Sequence, residues 1–133
     1  MNPDLLFVYG TLRRACPTGA HQKYLAGAQF IAAAQVRGKL YRVSYYPALV
    51  VEDDMQHAPA VIGEVYKLTG ADQLSALDAY EECDYPAQPD QEYQRKLHEV
   101  TTVAGQKLQV WIYAYQHPIA HLPLIESGDF LNP

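Results

Sequence analysis

Glu81 is the residue whose position most clearly suggests chemistry. It lies in a stretch, residues 69–82, whose apolar side chains have helical spacing. At about 100° per residue, Leu74 and Leu77 fall on one face of the predicted helix and Glu81 projects between them. A carboxylate on an apolar face is costly to keep ionised, so it is paired, neutral, or held in a cleft where a basic carboxylate is useful. Without a full counter-ion, its pKa would rise toward roughly 6–7, where a general base works at neutral pH.

The second segment of chemical interest is a turn that directly follows an apolar strand. Its four residues are Tyr9, Gly10, Thr11 and Leu12. Backbone N–H groups that a sheet does not use can converge at such a turn to form an anion-binding concavity or an oxyanion hole. The alternative is a plain turn with Gly10 at a positive φ. Arg13 and Arg14 either add positive charge at this turn or are solvated on the surface.

Glu81 also has a structural alternative, which is an ion pair at the edge of the core. Arg95 lies on the same predicted strand face as Tyr93 and Leu97, and it is well placed to be the partner. An ion-paired Glu81 would stabilise the fold and would not act as a base. Sequence spacing alone leaves both interpretations open.

Other candidate chemistry is weak. His117 and His121 have the i, i+4 spacing of a helical ligand pair, but Pro118 and Pro123 make a regular helix there doubtful and no third ligand is near in sequence. Cys83 could be a nucleophile, although no Cys–His arrangement can be assigned. The chain has no GxSxG elbow, P-loop or dinucleotide fingerprint. We therefore predict no metal site and no cofactor.

The elements that must position these residues are mostly strands. Patterning predicts strands over residues 5–9, 29–43, 48–51, 61–68, 93–103 and 107–115, with interruptions at Gly38 and at the Tyr46–Pro47 turn. A short helix is predicted over 20–27 and a longer one over 69–82, with Thr69 as N-cap. Six to seven strands with flanking helices make an α+β domain, and so many short strands most easily avoid exposed edges by closing into a small barrel.

Composition limits the class of protein. The 133 residues with 49% hydrophobic content suffice for one core, so we predict a single domain over residues 1–133. A net charge of −5 argues against a nucleic-acid partner. No stretch approaches the roughly 18 apolar residues of a membrane span, and the start of the chain lacks the basic region of a signal peptide. Cys16 and Cys83 have no CxxC spacing and favour reduced thiols, hence a cytoplasmic protein.

Taken together, the motifs resemble those of the γ-glutamylcyclotransferase-like (AIG2-like) family. The order and spacing of the segments carry the resemblance, which extends over nearly the whole chain. These segments are residues 7–13 (FVYGTLR), 46–49 (YPAL), 63–66 (GEVY), 77–81 (LDAYE), 93–95 (YQR), 111–115 (WIYAY) and 127–129 (SGD).

The resemblance implies a small mixed β-barrel with helices packed around it and an intramolecular aminolysis as its chemistry. In that reaction the α-amine of a small-molecule γ-glutamyl substrate attacks its own γ-carbonyl, closes 5-oxoproline and expels an amine or an amino acid. Carried over to this chain, Glu81 would be the general acid and base. The backbone amides of Tyr9, Gly10, Thr11 and Leu12 would hold the glutamyl moiety, with no metal or cofactor. A non-catalytic binding protein that uses the same cleft is the alternative.

Two departures from the family pattern leave the substrate open. Glu82 follows the proposed base where relatives commonly have Gly, and a neighbouring carboxylate could raise the pKa of Glu81 or alter the rim of the pocket. Ala15 stands where relatives often have Gly. Neither departure removes a proposed catalytic group.

Overall fold

Strands dominate the residues that the structure describes, which in this computed structural model are 4–14, 16, 19–43, 46–51, 59–81 and 91–133. Within them the elements, in chain order, are β1 (Leu5–Val8), α1 (Ala20–Tyr24), β2 (Gln29–Arg42), β3 (Pro47–Val51), β4 (Ala60–Lys67), α2 (Ala71–Tyr80), β5 (Tyr93–Thr102) and β6 (Lys107–Tyr115). The predicted strands are thus found within one residue at each end. No described helix is long and apolar enough to cross a bilayer.

The strands close into a barrel, which confirms the predicted α+β fold. The sheet order is β3-β2-β4-β1-β6-β5, and β5 pairs back onto β2. Five strands therefore form the closed ring, and β3 extends it by pairing with the second half of β2. The pairing of β1 with β6 is parallel and the other pairings are antiparallel, so the barrel is mixed. Closure hides the strand edges of the ring, as expected for so many short strands.

β1 is buried on both faces, which explains why it is apolar throughout. Phe7 belongs to the cluster that fills the barrel, together with residues such as Val65 and Ile112. Leu6 and Val8 belong to a second cluster, which lies under the helices. Because alternate strand residues point to opposite faces, a strand between two apolar clusters needs apolar residues at every position.

β2 runs without a break through Gly38, so the predicted interruption there is wrong. A Cβ atom at position 38 would lie 2.4 Å from the carbonyl oxygen of Val50 on β3. The glycine is therefore required by the close approach of the neighbouring strand, and the strand continues past it.

Helix α2 begins one residue later than predicted. Gly70 is the N-cap instead of Thr69, and no side chain caps the first turn. The Gln73 side chain instead accepts a hydrogen bond from the Thr69 N–H at 2.8 Å and donates to the carbonyl oxygens of Tyr24 and Ala26. These bonds tie the start of α2 to the end of α1. Helix α1 itself ends earlier than the predicted 20–27 helix and is followed by turns.

Candidate active site

A cavity of ≈ 260 Å³ lies where the end of β1, the start of β3, the end of α2 and the start of β5 meet. All five residues that the sequence singled out, Glu81 and the four of the turn, line this cavity. Eight more residues complete the lining: Phe7, Val8, Tyr46, Pro47, Tyr80, Glu92, Tyr93 and Tyr113. Two segments more than 60 residues apart in sequence are thus brought to one place.

Glu81 follows directly after the last residue of α2 and keeps the helical phase. Its N–H donates to the carbonyl oxygen of Leu77 at 2.9 Å, and Leu77 is fully buried below it. Within the described residues, the Glu81 carboxylate has no ion-pair or hydrogen-bond partner. Burial, and then the charge of Glu92, raise the pKa of Glu81 to about 7. A carboxylate with this pKa exchanges protons readily at neutral pH.

Glu92 is the second carboxylate of the cavity and lies at the start of β5. The Tyr46 hydroxyl donates to both of its carboxylate oxygens, at 3.0 and 3.2 Å. Its backbone carbonyl accepts a hydrogen bond from Gln116 at 2.7 Å. Glu92 therefore has a defined orientation, and its charge is felt at Glu81. The sequence had suggested this effect for Glu82, which lies outside the described residues.

The turn after β1 presents unused donors. Its closing bond runs from the Arg13 N–H to the Gly10 carbonyl oxygen at 3.0 Å, which makes Thr11 and Leu12 the two central residues. In the described part of the chain, the N–H groups of Thr11 and Leu12 donate to no backbone carbonyl. Both residues are buried against the cavity. These two donors are therefore available to a negatively charged or carbonyl oxygen in the cavity.

Gly10 is required for packing and does not have a positive φ, so the positive φ that the alternative assumed is wrong. A Cβ atom at position 10 would lie 2.6 Å from both Cγ and Cδ of Pro47. The Tyr93 hydroxyl donates to the Pro47 carbonyl oxygen at 2.5 Å and fixes this proline over the turn. Burial raises the pKa of Tyr93, so the hydroxyl remains a donor across the neutral range.

Tyr113 connects the turn to the helix that carries Glu81. Its carbonyl oxygen accepts from the Tyr9 hydroxyl at 2.5 Å, and its own hydroxyl donates to Asp78 at 2.8 Å. A second link joins the same parts, since the hydroxyls of Thr11 and Tyr80 are 2.9 Å apart. The proposed base and the proposed amide donors are therefore held in a fixed relation.

Arg95 is the ion-pair partner of Asp78 and not of Glu81, so the structural alternative considered for Glu81 is wrong. The Arg95 Nε lies 3.0 Å from the Asp78 carboxylate, and its guanidinium stacks 4.2 Å from the Trp111 ring centre. Asp78 is three residues before Glu81, almost one helical turn away. The charge of Arg95 is thus neutralised beside the cavity, and no cation among the residues that the structure describes pairs with Glu81.

Arg13 turns away from the cavity into a second group of charged residues. Its guanidinium lies 2.6 Å from Asp129 and 3.4 Å from Glu64. Glu64 also accepts from the Arg14 N–H and the Tyr66 hydroxyl, both at 3.1 Å. Arg13 therefore neither adds charge to the turn nor is merely solvated; it anchors the turn to β4 and to the C-terminal segment. Arg14 is exposed and stacks on Phe30.

Sequence reasoning missed Glu92 and the tyrosines Tyr46, Tyr80 and Tyr113 as cavity residues. Glu92, Tyr46 and Tyr113 come from three separate segments with no periodic relation to Glu81, whereas Tyr80 directly precedes it. A signal existed, because Tyr46 and Tyr113 lie in segments that carry the family resemblance and Glu92 directly precedes a third such segment. Their shared location follows only from the pairing of the strands.

The candidates for metal and thiol chemistry lie only partly within the described residues. No three His, Cys, Asp or Glu side chains there lie close enough together to hold a metal ion. His117 lies outside any helix and packs edge-on against Tyr115, with ring centres 5.7 Å apart. Cys16 is buried, while Cys83 and Ala15 lie outside the described residues.

Comparison with known proteins identifies the family of this chain. A sequence profile described as gamma-glutamyl cyclotransferase, AIG2-like, matches residues 6–132. Relatives named gamma-glutamylcyclotransferase family protein YtfP are 33% identical in Escherichia coli K12, over 96% of both chains, and 31% identical in Citrobacter rodentium, over 96% of this chain and 95% of that one.

Solved structures agree at the level of the fold. The crystal structure of an AIG2-like protein from Mus musculus superposes with a TM-score of 0.71 at 25% identity, over 95% of this chain and 88% of that one. YkqA from Bacillus subtilis has a TM-score of 0.70 at 29% identity, over 98% of this chain but 40% of that chain. From its sequence profile, its relatives and its barrel, this chain belongs to the AIG2-like gamma-glutamyl cyclotransferase family.

Proposed function

We propose that this protein is a γ-glutamyl cyclotransferase that releases 5-oxoproline from a γ-glutamyl amine or a γ-glutamyl amino acid. The observation that carries the proposal is the Glu81 carboxylate, which faces the cavity without a counter-ion among the described residues and whose pKa is raised to about 7 by burial and by the charge of Glu92. A pure binding site could use a carboxylate to pair with the α-ammonium group of a γ-glutamyl ligand, but it would not need a carboxylate whose pKa lies near neutrality. A base for an ammonium group needs it.

In the proposed reaction Glu81 accepts a proton from the substrate's α-ammonium group, and the neutral amine attacks the γ-carbonyl carbon. The new C–N bond closes a five-membered ring, and the carbonyl oxygen becomes an oxyanion that accepts hydrogen bonds from the N–H groups of Thr11 and Leu12. The intermediate collapses when the bond to the leaving nitrogen breaks. Glu81 delivers the protons lost by the attacking nitrogen to the leaving nitrogen. No water is consumed, and 5-oxoproline and an amine are the products.

The geometry supports this reaction because the reaction requires few catalytic groups. Nucleophile and carbonyl belong to one molecule, so their effective concentration is already high once the substrate is held in a folded conformation. The remaining requirements are one base and donors for the developing oxyanion. Glu81 and the turn meet them in one cavity, held together through Tyr113 and through the contact between Thr11 and Tyr80.

The proposal is tested by incubating the purified protein with a panel of γ-glutamyl alkylamides and γ-glutamyl dipeptides. We expect 5-oxoproline and the free amine in equal amounts from at least one class of substrate, measured by mass spectrometry. Glu81→Gln is the matched control, since it keeps the shape of the side chain and removes the proton acceptor. Release of glutamate in place of 5-oxoproline would indicate hydrolysis. Binding of the panel without any product would favour the binding-protein alternative.

A further inference from the structure

Asp78 is a largely buried carboxylate that takes no part in the proposed reaction. It lies on the last turn of α2, and its side chain is 15% exposed. One of its oxygens, Oδ1, lies 3.0 Å from the Arg95 Nε and accepts a hydrogen bond from the Tyr113 hydroxyl at 2.8 Å. Arg95 belongs to β5 and Tyr113 to β6. Asp78 therefore fastens the end of α2 to two neighbouring strands.

Apolar packing alone holds α2 loosely. Of its ten residues, Leu77 is the one that is fully buried, while Leu74 and Tyr80 pack beside it only partly buried. Apolar contact has no preferred direction, whereas ion pairs and hydrogen bonds do, so the contacts of Asp78 define where the helix ends on the barrel. Glu81 follows three residues later, about 60° around the helix axis from Asp78. The position of Glu81 therefore depends on this anchor.

Arg95 and Glu81 act on the same hydroxyl group. Burial and the hydrogen bond to Asp78 raise the pKa of Tyr113; the charge of Glu81 raises it further, and the charge of Arg95 lowers it. Both charges are thus within electrostatic range of the atom that Asp78 binds. Arg95 is 8% exposed and stacks on Trp111, so water screens its charge little. At this end of α2, Asp78 and Glu81 are the two carboxylates of the described residues that compete for it.

On the basis of the proposed function, we propose that Asp78 is a positioning residue for the general base: its ion pair with Arg95 holds the last turn of α2 in place and keeps the guanidinium away from the Glu81 carboxylate. An arginine beside Glu81 would favour the ionised form and weaken it as a base for an ammonium group. Neither Asp78 nor Arg95 lines the cavity. Asp78 therefore acts through Glu81 and not on the substrate.

The other titratable groups around Glu81 give a constant background. They come from the turn, the start of β3, α2, β5 and β6, and are Tyr9, Tyr46, Tyr80, Glu92, Tyr93 and Tyr113. None of them carries a positive charge. Burial raises the pKa of Tyr93 and of Tyr113, so both stay neutral around pH 7. Changes at Asp78 or Arg95 leave these groups in place, and a shift in the titration of Glu81 then reports the ion pair.

Two single variants should move the titration of Glu81 in opposite directions. Asp78→Asn keeps the shape of the side chain and leaves Arg95 uncompensated, so the pKa of Glu81 should fall by about one to three pH units. Arg95→Met leaves the charge of Asp78 uncompensated, so the pKa of Glu81 should rise. The double variant has neither charge and should return close to the wild-type value. Carbon-13 NMR titration of the Glu81 carboxyl, assigned by its absence from Glu81→Gln, measures this without substrate.

Turnover should separate the position of the base from its charge. With a γ-glutamyl compound of the panel that the wild type converts, Asp78→Asn should lower kcat by about tenfold to a hundredfold and change KM less, because a displacement of about 1 Å has an effect of this size. The acidic limb of kcat/KM should move to lower pH. The double variant should restore the limb but not kcat, since the anchor is still missing. Asp72→Asn, the same change in the exposed first turn of α2, is the control and should alter neither.

The outcomes separate this inference from the proposed function. An unchanged Glu81 titration in Asp78→Asn, with the fold confirmed by circular dichroism, would overturn the inference and leave the cyclotransferase proposal intact. If Asp78→Asn does not fold, Arg95→Met and the double variant decide, and a rise that the double variant fails to reverse would overturn it too. Failure of the wild type to release 5-oxoproline from any compound of the panel would refute the proposed function. The NMR titrations would still decide whether Asp78 keeps Arg95 from Glu81.

Discussion

The same turn borders two groups of carboxylates that are treated in opposite ways. On one side Glu81 and Glu92 face the cavity, where no described cation pairs with them, and burial together with Glu92 raises the pKa of Glu81. On the other side Glu64 and Asp129 are held by Arg13. Burial alone would raise the pKa of Asp129, but hydrogen bonds from Arg13 and Asn132 outweigh it and the pKa is lowered.

The difference shows how a single turn can serve chemistry and stability at once. The paired carboxylates fasten the turn to β4 and to the C-terminal segment. The unpaired carboxylate is left able to take up and release a proton. Arg13 is only one residue beyond Leu12, so the boundary between the two environments lies within the turn itself.

The largest contrast is expected when the same isosteric change, Glu to Gln, is made in each of the two groups of carboxylates. Glu81→Gln should lower the rate of 5-oxoproline release by about 10²–10⁴-fold, as expected for loss of a general base, and leave the folded state at least as stable. Glu64→Gln should keep turnover close to the wild-type value and lower the unfolding free energy by about 1–3 kcal/mol. Steady-state kinetics and urea titrations of both variants measure this, and equal losses of turnover would contradict it.

Removal of the Arg13 guanidinium should lower the stability of the folded protein, because Arg13 pairs with Glu64 and Asp129. Arg13→Met leaves Glu64 and Asp129 without their common partner in a largely buried place. Loss of one partner of a buried pair typically destabilises by about 3–5 kcal/mol. We expect a fall of this order in urea unfolding and a rise in the pKa of Asp129, measured by NMR titration. The control is Lys107→Met, because Lys107 is exposed and its pair with Glu99 is long.

The two groups should also give the protein opposite dependences on pH. The pKa of Glu81 rises from 4.5 to about 7 on folding, so between these values the folded state binds more protons and the unfolding free energy falls as the pH rises. Asp129 has a lowered pKa, so it stabilises above its ordinary value of 3.8, and this is lost as the pH falls through its lower folded pKa. In urea titrations across both ranges, Glu81→Gln should remove only the upper slope. If the slope persists, another group causes it.

The smallest expected effect concerns Tyr113, which links the turn after β1 to helix α2. Tyr113→Phe removes the hydroxyl that bonds Asp78 and keeps the carbonyl that accepts from Tyr9. One such bond contributes about 1–2 kcal/mol, so kcat should fall about tenfold while KM changes less. A fall in stability with unchanged kcat would assign Tyr113 to the fold alone. The matched control is Tyr115→Phe. Tyr115 lies two residues farther along β6 and does not line the cavity.

Elements with a strong local pattern were predictable from the sequence. The strands were found within one residue, because alternation and glycine or proline boundaries are local properties of the chain. Glu81 was placed on the inner face by helical spacing alone, and the turn after β1 was identified from the end of an apolar run. The family resemblance then placed both in one cleft, where they are found.

Partnerships between distant segments were not predictable in this way. Arg95 pairs with Asp78 because the last turn of α2 lies over β5 and β6, a relation that strand spacing does not contain. One alternative from the sequence gave Gly10 a positive φ, but the reason for this glycine lies on β3, at Pro47. Glu92 lines the cavity because β5 pairs with β6, and the local sequence pattern does not contain this pairing. In each case the missing information is tertiary packing.

The contact between Gly10 and Pro47 has a consequence for how the sequence of this protein can change. Any side chain at position 10 would overlap the proline ring, and any shift of the proline would disturb its bond with Tyr93. Position 10 therefore cannot change first without loss, whereas a smaller residue at position 47 would open space and keep the backbone carbonyl that Tyr93 binds. A variant at position 10 becomes tolerable only after a smaller or displaced residue occupies position 47, so the order of the two substitutions decides whether the intermediate survives. Natural variation at these two sites should consequently be correlated.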